Sequence, residues 1–279
     1  VIMSLPIILK GDGNKEPFAI EKLTESLRRS GTDDHLAEAV AKRVGATVKD
    51  GMTTTAIYQE AFKILHKEER VSAARYSMRR AILDLGPTGF PFEKFVAALM
   101  HAKGYETSYG ITVQGRCIDH EVDVVMRKDG KAIGAELKFH NTPGFKTDLK
   151  TALYVRARYW DIQWGAEDRK EKVGIDEGWL VTNTKFTSKA IQYSNCSGIK
   201  LLGWSYPDGA SLSDFIREMG VYPITILTTL SQVEKNRLLQ SGVTMCHMVM
   251  SDPDSLKRIG ISAKKQSAVV AESKAICQL

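Results

Sequence analysis

The sequence of 279 residues has no apolar run near the ~20 residues that a membrane-spanning helix needs, so a helical membrane protein is excluded. It has no low-complexity tract and no repeat period, which excludes a solenoid or propeller. Cysteine is scarce. Cys117, Cys196, Cys246 and Cys277 lie far apart with no CxxC spacing, which argues against a zinc ribbon and against a dense disulfide scaffold. The expectation is a cytoplasmic chain with reduced thiols. The apolar opening, Val1 to Leu9, lacks a basic leader and runs directly into Lys10 and Gly11, so it does not read as a signal peptide.

What is present is the composition of a folded chain. Apolar residues make up 43% and charged residues 26%, too apolar for disorder. The net charge of +6 permits an anionic partner such as nucleic acid, without requiring one. Pro/Gly punctuation at Gly86-Pro87-Thr88-Gly89 and at Tyr222-Pro223 divides the chain into 1–88, 89–222 and 223–279, the last being the most basic per residue.

In the first segment, extended pieces at Ile7–Lys10 and near Pro17-Phe18 flank a turn at Asp12-Gly13, a hairpin signal. Helical patterns follow on Ile20, Leu23 and Leu27, on Leu36, Val40 and Val44, on Ile57, Ala61 and Leu65, and from Ala73 to Leu85. The middle segment predicts a helix from Phe92 to Lys103, strands at Glu106–Val113, Ile118–Met126 and Ala132–Phe139, and a long helix from Lys146 to Trp164. A strand at Gly178–Thr182, a helix at Thr187–Cys196 and a strand at Ile199–Trp204 complete it. Strands with interposed helices imply an α/β fold with a mixed sheet covered on both faces. The last segment reads as a small all-helical domain with runs at Thr229–Gln240, Asp254–Ile259 and Ser262–Cys277.

The chemistry concentrates between Gly115 and Asn141. Strand alternation puts Asp119, Glu121 and Asp123 on one face and His120, Val122 and Val124 on the other. On the next strand Glu136 and Lys138 share a face opposite Leu137. A hairpin brings Asp123, Glu136 and Lys138 together. Crowded carboxylates repel one another unless a cation joins them, and hard oxygen ligands suit Mg²⁺ or Mn²⁺. Such a cation can activate water for attack on a phosphate, with a nearby lysine orienting that water or neutralising the oxyanion. A polar face alternating with valines is also what any half-exposed strand shows. Two features favour the site: acidic residues are poor strand formers, and Glu136 and Lys138 lie in a strongly apolar context.

Asp123 followed by Glu136-Leu137-Lys138 resembles the PD-(D/E)XK nuclease motif in its restriction-endonuclease-like, Mrr-like form, over roughly 90–222. The resemblance implies a metal-dependent phosphodiesterase. Asp123, Glu136 and the Leu137 carbonyl would hold the metal, Lys138 would be the catalytic lysine, and Glu121 would support them. The motif's proline has no counterpart here.

Over 1–88, Ile8-Leu9-Lys10-Gly11-Asp12-Gly13 with Glu16, Phe18, Lys22 and Leu23 resembles the ATP-cone, a nucleotide-sensing module. This resemblance implies ATP or dATP as an allosteric effector, with Lys10 and Lys22 toward phosphate and Glu16 and Thr54 toward ribose or base. It also implies a homo-oligomer that changes state with nucleotide. Gly11 departs from the family, which has arginine there, and glycine cannot clamp phosphate in a bidentate fork. No GxxxxGK[ST] loop is present, so nucleotide would regulate rather than fuel the reaction.

Leu256 to Ser262, followed by a helix bearing Lys264, Lys265 and Lys274, resembles the hairpin of helix-hairpin-helix domains, which offer backbone N–H groups to a DNA phosphate. Packing or dimerisation is the competing reading. Tyr154, Tyr159, Trp160 and Trp164 lie at helical spacings that predict core positions, and Arg156 and Arg158 read as solvated. The expected function is a Mg²⁺-dependent DNA endonuclease, with RNA the lesser substrate and no membrane partner. The alternatives are a nucleotide-responsive DNA-binding regulator and a scaffold, each with an inactive nuclease core.

Overall fold

The computed structural model describes residues 5–11, 13–142, 144–171 and 174–277. The expected turn at Asp12-Gly13 and the opening Val1 to Leu9 therefore lie partly outside the described residues, at Asp12 and at 1–4. The chain begins with a hairpin of β1 (Ile7–Leu9) and β2 (Lys15–Pro17). It is followed by α1 (Ile20–Arg29), α2 (Asp34–Gly45) and α3 (Thr54–Glu68). Asp33 and Thr53 begin α2 and α3 by accepting hydrogen bonds from the first-turn amides. The apolar faces read from the sequence close one small core containing Ile8, Leu27, Val40, Val44, Ile57 and Leu65.

The stretch from Ala73 to Leu85 is two helices rather than one, α4 (Arg70–Tyr76) and α5 (Met78–Leu83), broken at Ser77. From Ala74 to Leu85 its buried side chains pack into a different core, shared with α6 (Phe90–Ala102) and the central sheet.

That sheet has five strands in the order β3-β4-β5-β7-β9: β3 (Glu106–Gln114), β4 (Asp119–Lys128), β5 (Lys131–Lys138), β7 (Glu177–Thr182) and β9 (Lys200–Leu202). The first three are antiparallel, and β5, β7 and β9 run parallel. The mixed α/β sheet expected from the sequence is present. Between β5 and β7 the chain forms β6 (Lys146–Thr147) and then α7 (Leu149–Asp168). The long helix therefore starts three residues later than its apolar pattern, because Asp148 caps it by accepting from the Thr151 amide at 3.0 Å. β8 (Lys185–Phe186) pairs with β6, and α8 (Ser188–Ser197) joins α7 on one face of the sheet. On the other face lie α6 and α9 (Leu212–Met219), a helix not among those expected, although Ser211 and Asp214 form a capping box at its start.

The C-terminal segment is helical, as expected. A short 3₁₀ turn (Ile224–Ile226) leads into α10 (Gln232–Gln240), α11 (Met248–Ser251), α12 (Asp254–Arg258) and α13 (Ala263–Ile276). It is docked, not tethered. Thr225 donates from Oγ1 to the Ala81 carbonyl at 2.6 Å, and Leu238, Val249, Leu256 and Val269 join the core of the sheet's α6 face. Cys246 and Cys277 are joined by a disulfide across 31 residues, which corrects the expectation of reduced thiols for these two, whereas Cys117 and Cys196 are free. Their wide spacing carried no signal; the return of α13 brings them together.

Candidate active site

β4 and β5 are registered as far as Val124 opposite Ala135 and then part. At the parting point the Leu137 amide donates to Asp123 Oδ2 at 2.7 Å, so Asp123 stands beside Glu136 as the hairpin argument requires. The regular alternation of β4 does not survive here. Val122 and Val125 pack on the α7 face, whereas Val124 and Met126 pack on the α6 face. This corrects the expectation that Val122 and Val124 share a face. The slip lies at Asp123, opposite Gly110 of β3, whose φ of +62° interrupts the β3–β4 pairing between Tyr109 and Ile111.

Glu136 is buried, and both its oxygens are occupied. Lys138 Nζ donates to Oε1 at 2.5 Å, and Arg158 Nη1 donates to Oε2. Arg158 also donates to the Glu121 carbonyl at 2.9 Å and to the Tyr154 hydroxyl. Glu121 is exposed and contributes that main-chain oxygen. Arg158 is thus a site residue rather than a solvated one. Sequence reasoning set it aside because a single helix position does not reveal which neighbour it meets.

α7 reaches Glu136 because it packs unusually close to the sheet. The buried Tyr159 ring lies over Gly134 of β5 and Gly178 of β7; a Cβ on Gly134 would stand 2.6 Å from the ring. A second anchor of α7 is Asp161, whose carboxylate accepts from the Cys117 amide at 3.0 Å and from His120 Nε2 at 2.8 Å. These bonds, the one to His120 foremost, hold the Asp161 carboxyl down to about 2. His120 therefore locks the β3–β4 turn to α7. Of the four aromatics expected in the core of α7, only Tyr159 is buried. Tyr154, Trp160 and Trp164 are exposed, because the helix presents one face to the sheet and they lie off it.

The electrostatics mark the carboxylates as one group. Burial, then the negative charge of Glu136, pushes the Asp123 carboxyl up to about 6. Glu93, in the first turn of α6, is also raised, by burial and then by Asp123, Glu121 and Glu136. It faces the same cluster and went unread, since one acidic residue at a helix start has an ordinary capping explanation. His140, two residues after Lys138, packs at a tilt on Phe145 at 3.9 Å between centroids, and is held below the usual histidine range by burial and by Lys138.

Among the described residues no group of three or more His, Cys, Asp or Glu is placed to hold a metal. The donor set on offer is smaller: the Asp123 and Glu136 carboxylates with the Leu137 carbonyl. It is all hard oxygen, and the Asp123 carboxyl is raised by burial and then by the Glu136 charge, both of which a divalent cation would offset, so these residues fit Mg²⁺ or Mn²⁺.

In the N-terminal unit, Glu16 accepts ion pairs from Lys10 at 2.9 Å and Lys22 at 3.2 Å. Three of the residues selected there thus meet. Thr54 opens α3, and pairing of Leu9 with Thr53 sets that turn beside β1.

A splayed β-hairpin carrying Asp…Glu-x-Lys on a mixed sheet defines a restriction-endonuclease-like protein, and sequence comparison agrees. The model of the restriction endonuclease family matches residues 87–216, and that of the AF1548-like C-terminal domain matches 222–277. An uncharacterized protein of Archaeoglobus fulgidus is 41% identical over 182 residues, which is 65% of this chain and 99% of that protein. The crystal structure of AF1548, a protein of unknown function, superposes with a TM-score of 0.56 at 37% identity, over 68% of this chain and 99% of the other. The chain belongs to the family of this archaeal relative: a restriction endonuclease-like domain followed by an AF1548-like C-terminal domain.

Proposed function

We propose that the protein is a divalent-cation-dependent endonuclease that hydrolyses phosphodiester bonds in DNA. The observation that carries this reading is the buried Glu136 beside Asp123, with Lys138 on the same face, at the parting of β4 and β5. Asp123, Glu136 and the Leu137 carbonyl would hold Mg²⁺ or Mn²⁺, which when bound supplies a Lewis acid and an activated water. Lys138 is the more exposed of the two cations on Glu136, at 35% against 12% for Arg158, so it can reach a phosphate and orient or deprotonate the water. Arg158 is more deeply buried and holds the Glu136 carboxylate in place.

The test is nicking of supercoiled plasmid with Mg²⁺, Mn²⁺ or EDTA, comparing the wild type with Lys138→Ala and adding competing RNA. Metal-dependent cleavage that the substitution lowers by about 10²-fold or more supports the reading. Equal cleavage by both proteins overturns it.

The finer reading adds two modules. The C-terminal hairpin of α12 and α13, which turns at Gly260 with φ +85°, offers a helix start and the exposed Lys264 to a DNA backbone. The Lys10–Glu16–Lys22 cluster is read as the effector site for ATP or dATP, in which a triphosphate would displace Glu16 from the two lysines. Calorimetric titration with ATP and dATP tests it, and loss of heat in Lys22→Ala is the supporting outcome.

One observation favours a second reading, a DNA-binding regulator with an inert core: both Glu136 oxygens are already neutralised by Lys138 and Arg158. Titration with Mn²⁺ separates the two. Binding that is lost in Asp123→Asn supports the nuclease, and absence of binding supports the regulator.

A further inference from the structure

α7 has two apolar stripes, and the sheet uses only one. Ala152, Val155, Tyr159, Ile162 and Ala166 are buried against it. On the opposite side Lys150, Leu153, Ala157, Trp160, Trp164 and Glu167 succeed one another at spacings of 3, 4, 3, 4 and 3, and all are exposed. Leu153 is 46% exposed, Trp160 40% and Trp164 47%, a large continuous apolar area for a single helix face. The two tryptophan rings are parallel within 1° and 6.1 Å apart, and Arg156 lies 4.6 Å from the Trp160 ring. Spacing that alternates between 3 and 4 is the pattern by which one helix packs along another.

We propose that this stripe is the seam of a homodimer in which α7 of one copy packs antiparallel against α7 of a second. The charges choose the occupant and its direction. The stripe is symmetric about a point between Arg158 and Tyr159, with lysine at one end and glutamate at the other, equally far from the centre. An antiparallel pair about a twofold axis sets Leu153 against Trp164 of the second copy and Ala157 against Trp160. It also sets Lys150 against Glu167, twice. A parallel pair would oppose lysine to lysine and glutamate to glutamate. The charges of the stripe cancel, its lysine against its glutamate, so beyond Arg156 at the Trp160 ring a nucleic-acid strand would meet no excess of positive charge along it. The seam does not depend on the nuclease reading, because its test does not use cleavage.

The experiment is sedimentation equilibrium on the full chain over a range of concentrations. The expected species has twice the 31.0 kDa chain mass. Trp160→Glu is expected to raise the dimer dissociation constant about a hundredfold, the loss typical of a central tryptophan. Lys150→Glu alone and Glu167→Lys alone each weaken the dimer about tenfold by creating two like-charge contacts. The double variant Lys150→Glu with Glu167→Lys restores it, because the exchange rebuilds both pairs. All three positions are exposed, so circular dichroism and the melting temperature of the monomer stay unchanged. A single-chain mass at every concentration overturns the proposal, as does a dimer indifferent to Trp160→Glu or a double variant weaker than either single one. An unchanged mass in Trp160→Glu with reduced affinity for a single-stranded oligonucleotide also overturns it and assigns the tryptophans to base stacking.

Discussion

Arg158 of α7 and Glu136 of β5 form an ion pair in which the glutamate side chain is 4% exposed and the arginine 12%. It joins the helix layer to the sheet at the candidate catalytic carboxylate, so it acts on fold and site together. Removing the arginine leaves a buried carboxylate with Lys138 as its remaining cation. Arg158→Ala should cost about 2–4 kcal/mol of stability, and Arg158→Met less than the loss of a charge partner in isolation implies, because its stem refills the space. Urea denaturation of both variants measures this, and cleavage should fall in both.

The Asp123 carboxyl, raised from 3.8 to about 6, makes metal binding and activity depend on pH. Protons compete with the cation as pH falls through about 6, so Mn²⁺ affinity and cleavage should decline there with the slope of one proton. The sign for stability is the reverse. A carboxyl raised on folding stabilises the metal-free chain below its unfolded value, and that contribution is lost as pH rises through about 6. Asp123→Asn should therefore be more stable than the wild type at pH 7.5 by about 1–2 kcal/mol after allowance for solvent screening, and not at pH 4. Denaturant melts at the two pH values without metal test it.

Tyr159 predicts a contrast. Its hydroxyl is buried with no hydrogen-bond partner among the described residues. Tyr159→Phe should be neutral or stabilising by about 1 kcal/mol, since it removes an unsatisfied polar atom and keeps the ring. Gly178→Ala should destabilise by about 1–3 kcal/mol, because the new Cβ enters the space of that ring and must lift α7 from the sheet. Lifting α7 withdraws Arg158 from Glu136, so cleavage should fall with stability in Gly178→Ala and persist in Tyr159→Phe. Thermal melts and plasmid nicking on the same preparations compare them.

The disulfide between Cys246 and Cys277 closes a loop of 31 residues in the C-terminal unit. Cys246→Ser, or reduction of the wild type, should lower stability by about 2–4 kcal/mol. Because this unit shares a core with α4 to α6, one melting transition should shift as a whole, which scanning calorimetry with and without reductant will record.

Local patterns determined much of this protein. Alternation and turn residues determined the extents of β4 and β5, and apolar periodicity determined α1 to α3 and the presence of α7, though not which of its faces is buried. The Asp123, Glu136 and Lys138 grouping followed from a hairpin, whose pairing is a short-range matter. Other features depended on how far-separated elements meet. The sequence could not assign Arg158 to Glu136, or Glu93 to the same carboxylates, because one residue on a helix has no readable partner until the helix is docked. Tyr159 and Trp160 are neighbours of one residue type class, yet one is core and one is surface. The direction of α7 decides that, and glycines 134 and 178 on two other strands fix the direction. Nor could spacing reveal that Cys246 meets Cys277, or that Ala74 to Leu85 belongs to the core of the sheet. Short-range periodicity is written in the chain, whereas contacts between distant segments arise only from the packing of whole surfaces, where shape and burial decide which side chains meet.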